Sequence, residues 1–184
     1  MRGSLPTLPT PEASGPPSLT DTLCTRCGLC CDGTLFADVE LAGRAEAGRM
    51  EILGLEVEDD DPKRALLIQP CLALHERRCG IYAHRPKCCR SFECRLLQDV
   101  RRGSVSVARA EEHISDALNR IARVEQLLIQ LGQPMRRLPL SERCDEALAT
   151  DTSGGPELNR KRAELEAAMS AIVRLIRTIF LGRS

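Results

Sequence analysis

Cysteine is the residue type whose number and spacing could do chemistry in this chain. Nine of the ten cysteines lie between Cys24 and Cys94. The first two, Cys24 and Cys27, form a Cys-x-x-Cys pair, which can place two sulfurs at neighbouring corners of a metal tetrahedron. Gly28 follows directly and can adopt the left-handed backbone conformation that such a turn needs. This spacing therefore indicates thiolate ligands for a metal ion.

A second cluster further along the chain contains five cysteines: Cys71, Cys79, Cys88, Cys89 and Cys94. Gly80 follows the second of them and could repeat the left-handed turn. Because the two clusters are far apart in sequence, a metal bound by both would hold the intervening chain together. Residues 71–102 contain eight basic and three acidic residues. These bases are expected either to lower the pKa of the thiols or to be ordinary surface residues.

The beginning of the chain favours metal or redox chemistry over structural disulfides. Five prolines lie within the first 17 residues, and no apolar segment of the length of an export signal is present. We therefore expect a disordered, proline-rich leader over residues 1–20 and a cytoplasmic location. In a reducing compartment, clustered cysteines more often bind metal or carry out redox chemistry than form disulfides. His84 lies within the second cluster and could join as a ligand, although a surface position is the simpler interpretation.

The overall composition argues against other classes of protein. Lys and Arg together number 26, as do Asp and Glu, so the net charge is zero and a nucleic-acid partner is not expected. No apolar run is long enough for a membrane span. Neither a Ser-His-Asp set nor a nucleotide-binding glycine loop is visible, so the sequence leaves open whether the protein is an enzyme.

Short elements must position the cysteines. The apolar patterns predict strands within residues 34–41 and 65–68, and helices over 42–53 and 96–100. The acidic residues 56–61 are expected to form a solvated loop. The fold class that we expect for residues 21–102 is thus a small, irregular, α-rich domain with short strands, stapled by metal.

The remaining residues, 103–184, predict a helical hairpin. Apolar residues recur at helical spacing from Ile114 to Leu131, and Gly132 ends the run. After a linker, Pro156 begins a second helix whose apolar steps are close to a heptad repeat. We expect this hairpin to pack on the cysteine module or on itself. The alternative is a coiled-coil surface for a homodimer or a protein partner.

The cysteine spacing resembles the YkgJ-like cysteine-cluster family, whose members are described as zinc- or iron-chelating domains. The matching motifs are Cys24-x-x-Cys27-Gly28-x-Cys30-Cys31, then Cys71, then Cys79-Gly80-Ile81-Tyr82-x-x-Arg85-Pro86-x-x-Cys89-Arg90-x-Phe92-x-Cys94. The resemblance covers residues 21–102 and implies eight metal ligands: Cys24, Cys27, Cys30, Cys31, Cys71, Cys79, Cys89 and Cys94. It leaves out Cys88 and Cys144, implies a structural role for Arg85 and Arg90, and differs at Leu72, where similar sequences often have proline.

The function favoured by these observations is a cytoplasmic protein that binds zinc or iron through cysteine thiolates, with its physiological role open. One alternative is an iron–sulfur redox protein, because residues 24–30 resemble the opening of a bacterial ferredoxin motif, although the closing Cys-Pro is missing. The flagellin lysine methylase FliB carries a related cysteine cluster, so a modification enzyme is also conceivable. A further alternative is an interaction adaptor that works through the C-terminal helices.

Overall fold

The computed structural model describes residues 18–61, 64–133, 137–149 and 155–183. Nearly all of the expected leader, residues 1–17, lies outside the described residues. Where the chain is described, helices predominate and the strands are short and antiparallel, as expected. None of these described helices combines the length and apolar character that a membrane span requires.

The first helix ends at the glycine that the sequence predicts. Helix α1 (Leu19–Cys27) begins with a capping box, in which the Ser18 hydroxyl accepts from the backbone N–H of Asp21 and the Asp21 carboxylate accepts from that of Ser18. Gly28 ends α1 in the left-handed conformation, with φ of 69°. This confirms the expected turn within the Cys-x-x-Cys-Gly segment.

Three strands form a small sheet. Strands β1 (Asp38–Glu40) and β2 (Val57–Asp61) both pair antiparallel with the central strand β3 (Arg64–Ile68). Helix α2 (Arg44–Ile52) packs against β2 and β3, and Leu67 of β3 is buried beneath it. The predictions of α2 and of β3 are therefore confirmed, whereas the strand predicted within residues 34–41 is shorter than expected.

Strand β2 corrects one expectation, because residues 56–61 were expected to form a solvated loop. The backbone of this acidic segment pairs with β3 instead. Val57 packs against the apolar residues below, while Glu58, Asp60 and Asp61 remain exposed. An edge strand can carry charges on its exposed face, so a run of acidic side chains did not prevent pairing.

A hairpin carries one of the predicted ligands. Strands β4 (Leu74–His75) and β5 (Arg78–Cys79) are joined by Glu76 and Arg77, both with positive φ, at 44° and 66°. The expectation that Gly80 repeats the left-handed turn is wrong. Gly80 is not in the left-handed conformation, and the positive φ angles of the hairpin are those of Glu76 and Arg77.

Three short helical segments follow the hairpin. They are a 3₁₀ turn over Tyr82–His84, helix α3 (Lys87–Ser91) and helix α4 (Arg95–Arg101). The sulfur of Cys94 caps α4 by accepting from the backbone N–H of Leu97 at 3.5 Å. The predicted helix before Gly103 is therefore confirmed, and its first turn lies directly after a predicted ligand.

The two long C-terminal helices pack side by side. Helix α5 (Val107–Gln130) is capped by Ser106, and helix α7 (Pro156–Leu175) has its proline in the first turn, as predicted. A π-helical turn over Ile176–Phe180 continues α7. The contacts run antiparallel, because Phe180 lies on the same cavity as Ile114, whereas the ion pair between α5 and α7 joins Arg123 and Glu164.

A third helix corrects the expected hairpin. Helix α6 (Leu140–Ala149) lies within the segment interpreted as a linker and packs against α5 and α7. Its Arg143 makes a bidentate contact with Glu125 of α5, at 2.6 and 2.7 Å. The buried side of α6 contains Leu140, Cys144 and Ala147.

Two apolar clusters result. The helical core joins α1 and α4 to the C-terminal helices and includes Leu23, Leu29, Leu97, Ile114 and Phe180. The sheet core lies around α2 and β3 and includes Met50, Leu67 and Cys71. The C-terminal helices thus pack on the cysteine module, which is one of the two arrangements expected for them. The helical core runs across the boundary expected at residues 102 and 103.

Candidate metal centre

A cavity of about 730 Å³ is lined by residues of both cores and by all nine cysteines of the dense segment. Eight of them are the predicted ligands: Cys24, Cys27, Cys30, Cys31, Cys71, Cys79, Cys89 and Cys94. The ninth is Cys88. Cys144 lies elsewhere, buried in the helical core. No histidine in the described part of the chain lines this cavity, and His84 is exposed.

One group of cysteines lies on the side of the helical core. The last turn of α1 carries Cys24 and Cys27, and Cys30 follows after the left-handed turn. Because α1 packs against α4, these residues face the start of α4, where Cys94 is the cap. Cys24, Cys27 and Cys94 all contact the helical core.

A second group lies on the side of the sheet core. The backbone N–H of Cys71 donates to the carbonyl of Cys31 at 2.8 Å, and both residues belong to or contact the sheet core. Cys79 lies opposite Leu74 in the β4–β5 hairpin. The backbone N–H of Leu74 donates to the carbonyl of Cys71. Cys89 lies on α3.

Burial dominates the acidity of these thiols. It raises the pKa of Cys24 to about 11 and those of Cys27 and Cys31 to about 12. Burial also raises the pKa values of Cys30, Cys71 and Cys94. Neighbouring cysteines add to the rise at most of these positions. The thiols are therefore protonated at neutral pH unless a cation takes the place of the protons.

The arginines near the cavity act against burial but do not overcome it. The charges of Arg85 and Arg101 lower the pKa of Cys24, and Arg85 also lowers that of Cys31. The bases therefore lower the thiol pKa values as expected, but burial has the larger effect and the net shifts of Cys24 and Cys31 are upward. Arg85 is close enough to act on a cysteine of each group.

The Tyr-x-x-Arg-Pro segment forms a corner at the rim of the cavity. The guanidinium of Arg85 lies 3.7 Å from the centre of the Tyr82 ring, and its Nε donates to the carbonyl of Tyr82. Arg90 in turn donates to the carbonyl of Arg85 at 2.7 Å. These contacts support the structural role expected for both arginines. Phe92 packs edge-on against Phe36, with ring centres 5.1 Å apart.

The donor set suits thiophilic metals, since clustered thiolates select zinc, iron and iron–sulfur clusters over harder cations. Among the described residues, no three or more His, Cys, Asp or Glu side chains are grouped closely enough to hold a metal ion as they stand. The cysteines instead surround a common space, into which their side chains would have to converge.

Comparison with protein families gives a match over residues 23–114, half of the chain. The matching family is CxxCxxCC, described as a "putative zinc- or iron-chelating domain". This chain belongs to the CxxCxxCC family. No curated protein and no solved structure matches it. The CxxCxxCC match continues past residue 102 to Ile114, and so includes the first two turns of α5.

Arg77 is a residue of this CxxCxxCC domain whose role the sequence does not indicate. Its Nη1 donates to the carbonyl of Cys27 at 2.8 Å and lies 3.9 Å from the carboxylate of Asp32. A side chain at Gly28 would lie 3.1 Å from Cβ of Arg77. Arg77 thus holds the β4–β5 hairpin against the Cys-x-x-Cys turn. The contact joins residues fifty positions apart, so local spacing gives no signal of it.

Glu46 is a second such residue. It is 3% exposed, and its carboxylate accepts from the backbone N–H groups of Ala42 and Lys87 at 2.8 and 2.9 Å. Although burial acts in the opposite direction, these hydrogen bonds lower the pKa of Glu46. The second bond fixes the start of α3, the helix that carries Cys89. A glutamate within a helical pattern is typical of a surface position, which is why the sequence gives no indication of this contact.

Cys88 lines the cavity although it falls outside the family pattern. Its sulfur lies 4.0 Å from that of Cys89. This contact lowers the pKa of Cys88 to about 7 and, together with burial, raises that of Cys89. Cys88 is thus a ninth thiol within reach of the second group.

Proposed function

We propose that this protein chelates zinc or iron through the eight cysteines of the CxxCxxCC pattern. The observation that carries the proposal is the common cavity: eight thiols from α1, the hairpin, α3, the cap of α4 and the connecting turns all line it. All ten cysteines of the chain are free thiols. Such a concentration of free thiols is typical of a metal site in a reducing compartment, which supports a cytoplasmic location.

The bound metal would act chiefly by stabilising the fold. It would supply cross-links between α1, the β4–β5 hairpin, α3 and the start of α4, which carry the cysteines. Zinc suits closed, all-cysteine sites and is the first candidate. Structural zinc contributes roughly 10–16 kcal/mol to small zinc-binding peptides at neutral pH, which exceeds the net stability of many domains. The cysteines release protons on binding, and Arg85 offsets part of the negative charge of the thiolates.

Iron–sulfur ligation is the second candidate. Cys24, Cys27 and Cys30 have the spacing that opens a ferredoxin motif, and Cys94 joins them on the same side of the cavity. Such a cluster would give the protein a redox role in place of a structural one.

Elemental analysis of the full-length protein, purified without oxygen, tests this function. We expect stoichiometric zinc or iron, with zinc protein colourless and iron–thiolate protein brown. Protein that contains no metal and takes up neither metal under reducing conditions would overturn the proposal.

Two buried cysteines provide a matched pair of variants for the same metal measurement. Cys71→Ser is expected to lose metal, whereas Cys144→Ser, outside the cavity, is expected to retain it. Equal loss in both variants would contradict the assignment of the cavity as the site.

A further inference from the structure

We propose that the eight cysteines form two separate four-thiolate sites, and that the adjacent residues Cys30 and Cys31 serve different sites. The first site consists of Cys24, Cys27, Cys30 and Cys94, and the second of Cys31, Cys71, Cys79 and Cys89. This inference rests on the proposed function and deepens it, because eight thiolates could equally surround one shared cluster.

The first site is defined by helix packing. The end of α1 lies against α4, which places the last turn of one helix beside the cap of the other. Cys24, Cys27 and Cys94 contact the helical core and not the sheet core. The Cys94 thiol also interacts electrostatically with those of Cys24 and Cys27.

The second site is defined by backbone contacts around the sheet core. Cys31 accepts from Cys71, and Cys71 accepts from Leu74, the pairing partner of Cys79. These contacts bring three ligands from three segments together. Cys89 lies on α3 next to Cys88, which packs against the sheet core, and this position places the fourth ligand with the same group. Its electrostatic interaction with Cys31 and Cys71 agrees with that placement.

The division falls between two neighbours in the chain. Beyond its sequence neighbour Cys31, the Cys30 thiol interacts with Cys27, Cys94 and Cys24, which are all members of the first group. The Cys31 thiol interacts with Cys71 and Cys79. The backbone agrees with this division: Cys30 lies within the turn after α1, in which the N–H groups of Cys31 and Asp32 donate to the carbonyl of Gly28 at 2.9 and 3.1 Å. Cys31 contacts the sheet core and accepts from Cys71.

Arg85 lies where the two sites approach each other. Its charge acts on Cys24 of the first site and on Cys31 of the second. A divalent ion bound by four thiolates leaves excess negative charge, and two such sites repel each other. One guanidinium that faces both reduces that repulsion. It is held there by the Tyr82 ring and carbonyl.

Titration of the metal-free, full-length protein with Co²⁺ tests the division, because Co²⁺ bound by four thiolates has a strong and characteristic visible spectrum. We expect the unmodified protein to bind two equivalents. Cys24→Ser/Cys94→Ser removes two ligands of the first site and is expected to bind one equivalent with an unchanged all-sulfur spectrum. Cys24→Ser/Cys71→Ser removes one ligand from each site and is expected to lose that spectrum at both.

The results of this titration distinguish the division into two sites from the metal-binding function on which it rests. Equal losses in the two double variants would overturn the division and leave the metal-binding function intact. Failure of the unmodified protein to bind Co²⁺ would overturn the function itself.

A measurement on the unmodified protein covers the case in which a variant does not fold. Separate sites predict an electron paramagnetic resonance signal of high-spin Co²⁺ that grows up to two equivalents. A loss of signal as the second equivalent binds would show thiolate-bridged, coupled ions and contradict separate sites.

Discussion

At the scale of single residues, burial sets the chemistry of the cavity thiols. A group whose pKa is raised on folding binds its proton more tightly in the folded than in the unfolded state. Its contribution to stability is complete below the unfolded pKa and is lost as the pH rises through the folded one. For Cys24 that interval runs from an ordinary 9.0 to about 11, and for Cys27 and Cys31 to about 12. Metal binding removes the same protons.

We therefore predict that the stability of the metal-free protein depends on pH in an interval where that of the metal-loaded protein does not. The urea midpoint of the metal-free protein should fall steadily as the pH rises from about 9 towards about 11. The metal-loaded protein should show no such fall in that interval, because its thiolates are already ionised. Urea unfolding with and without metal across these pH values measures both responses, and parallel curves would contradict the assignment of these thiols as ligands.

At the scale of elements, the contact between the hairpin and the end of α1 decides how the two cysteine groups face each other. Arg77 holds a positive φ in the hairpin turn, bonds to the carbonyl of Cys27 and packs on Gly28. The glycine is needed twice here, once for its left-handed backbone and once for the space that Arg77 occupies.

Two glycine substitutions separate these requirements. Gly28→Ala and Gly103→Ala both place a side chain at positive φ, but only the first meets a neighbour within 4 Å. Each should cost about 1–2 kcal/mol in backbone strain. Gly28→Ala should cost more than Gly103→Ala and should also weaken metal binding. Thermal unfolding and competition with a metal chelator measure the two effects, and equal behaviour of the two variants would exclude a role for the Gly28–Arg77 contact.

The sequence predicts those elements whose formation depends on local patterns of residues. The long apolar period of α5, the buried run of β3 and the glycine after Cys27 all have a local physical cause, and the structure confirms each. Elements that depend on tertiary contacts could not be predicted from such patterns. Helix α6 is held by its packing against α5 and α7, and the acidic strand β2 by its pairing with β3.

The eight thiols that the family resemblance implies all line the cavity, together with Cys88, and their role as ligands stays a prediction. Their arrangement could not be predicted from the sequence. The proposed division between Cys30 and Cys31 depends on tertiary contacts, and Arg77 and Glu46 act through contacts with distant backbone groups. Neither kind of contact leaves a pattern in the sequence.

At the scale of the whole molecule, the cavity and the C-terminal helices share one wall. Ile114 of α5 and Phe180 after α7 line the cavity and belong to the helical core together with Leu23 and Leu29. The division of the chain at residues 102 and 103 stays a prediction. Because the C-terminal helices line the cavity, we expect the proposed metal binding and these helices to stabilise each other.

A pair of apolar substitutions examines this coupling. Phe180→Ala, at a position 1% exposed, should destabilise the protein by about 3–5 kcal/mol and lower its metal affinity. Ile129→Ala, on α5 but 58% exposed, should change stability by no more than about 0.5 kcal/mol and leave the affinity unchanged. Urea unfolding and chelator competition on both variants give the comparison. Unchanged affinity in Phe180→Ala would show that the cavity does not depend on the C-terminal helices.

The most direct test of metal chelation by these cysteines is X-ray absorption at the edge of the metal that the full-length protein carries. The proposed function predicts a first shell of sulfur alone, four atoms per ion, at about 2.3 Å for zinc. No histidine of the described chain lines the cavity, so a nitrogen contribution is not expected. A first shell made mainly of nitrogen or oxygen would contradict the account.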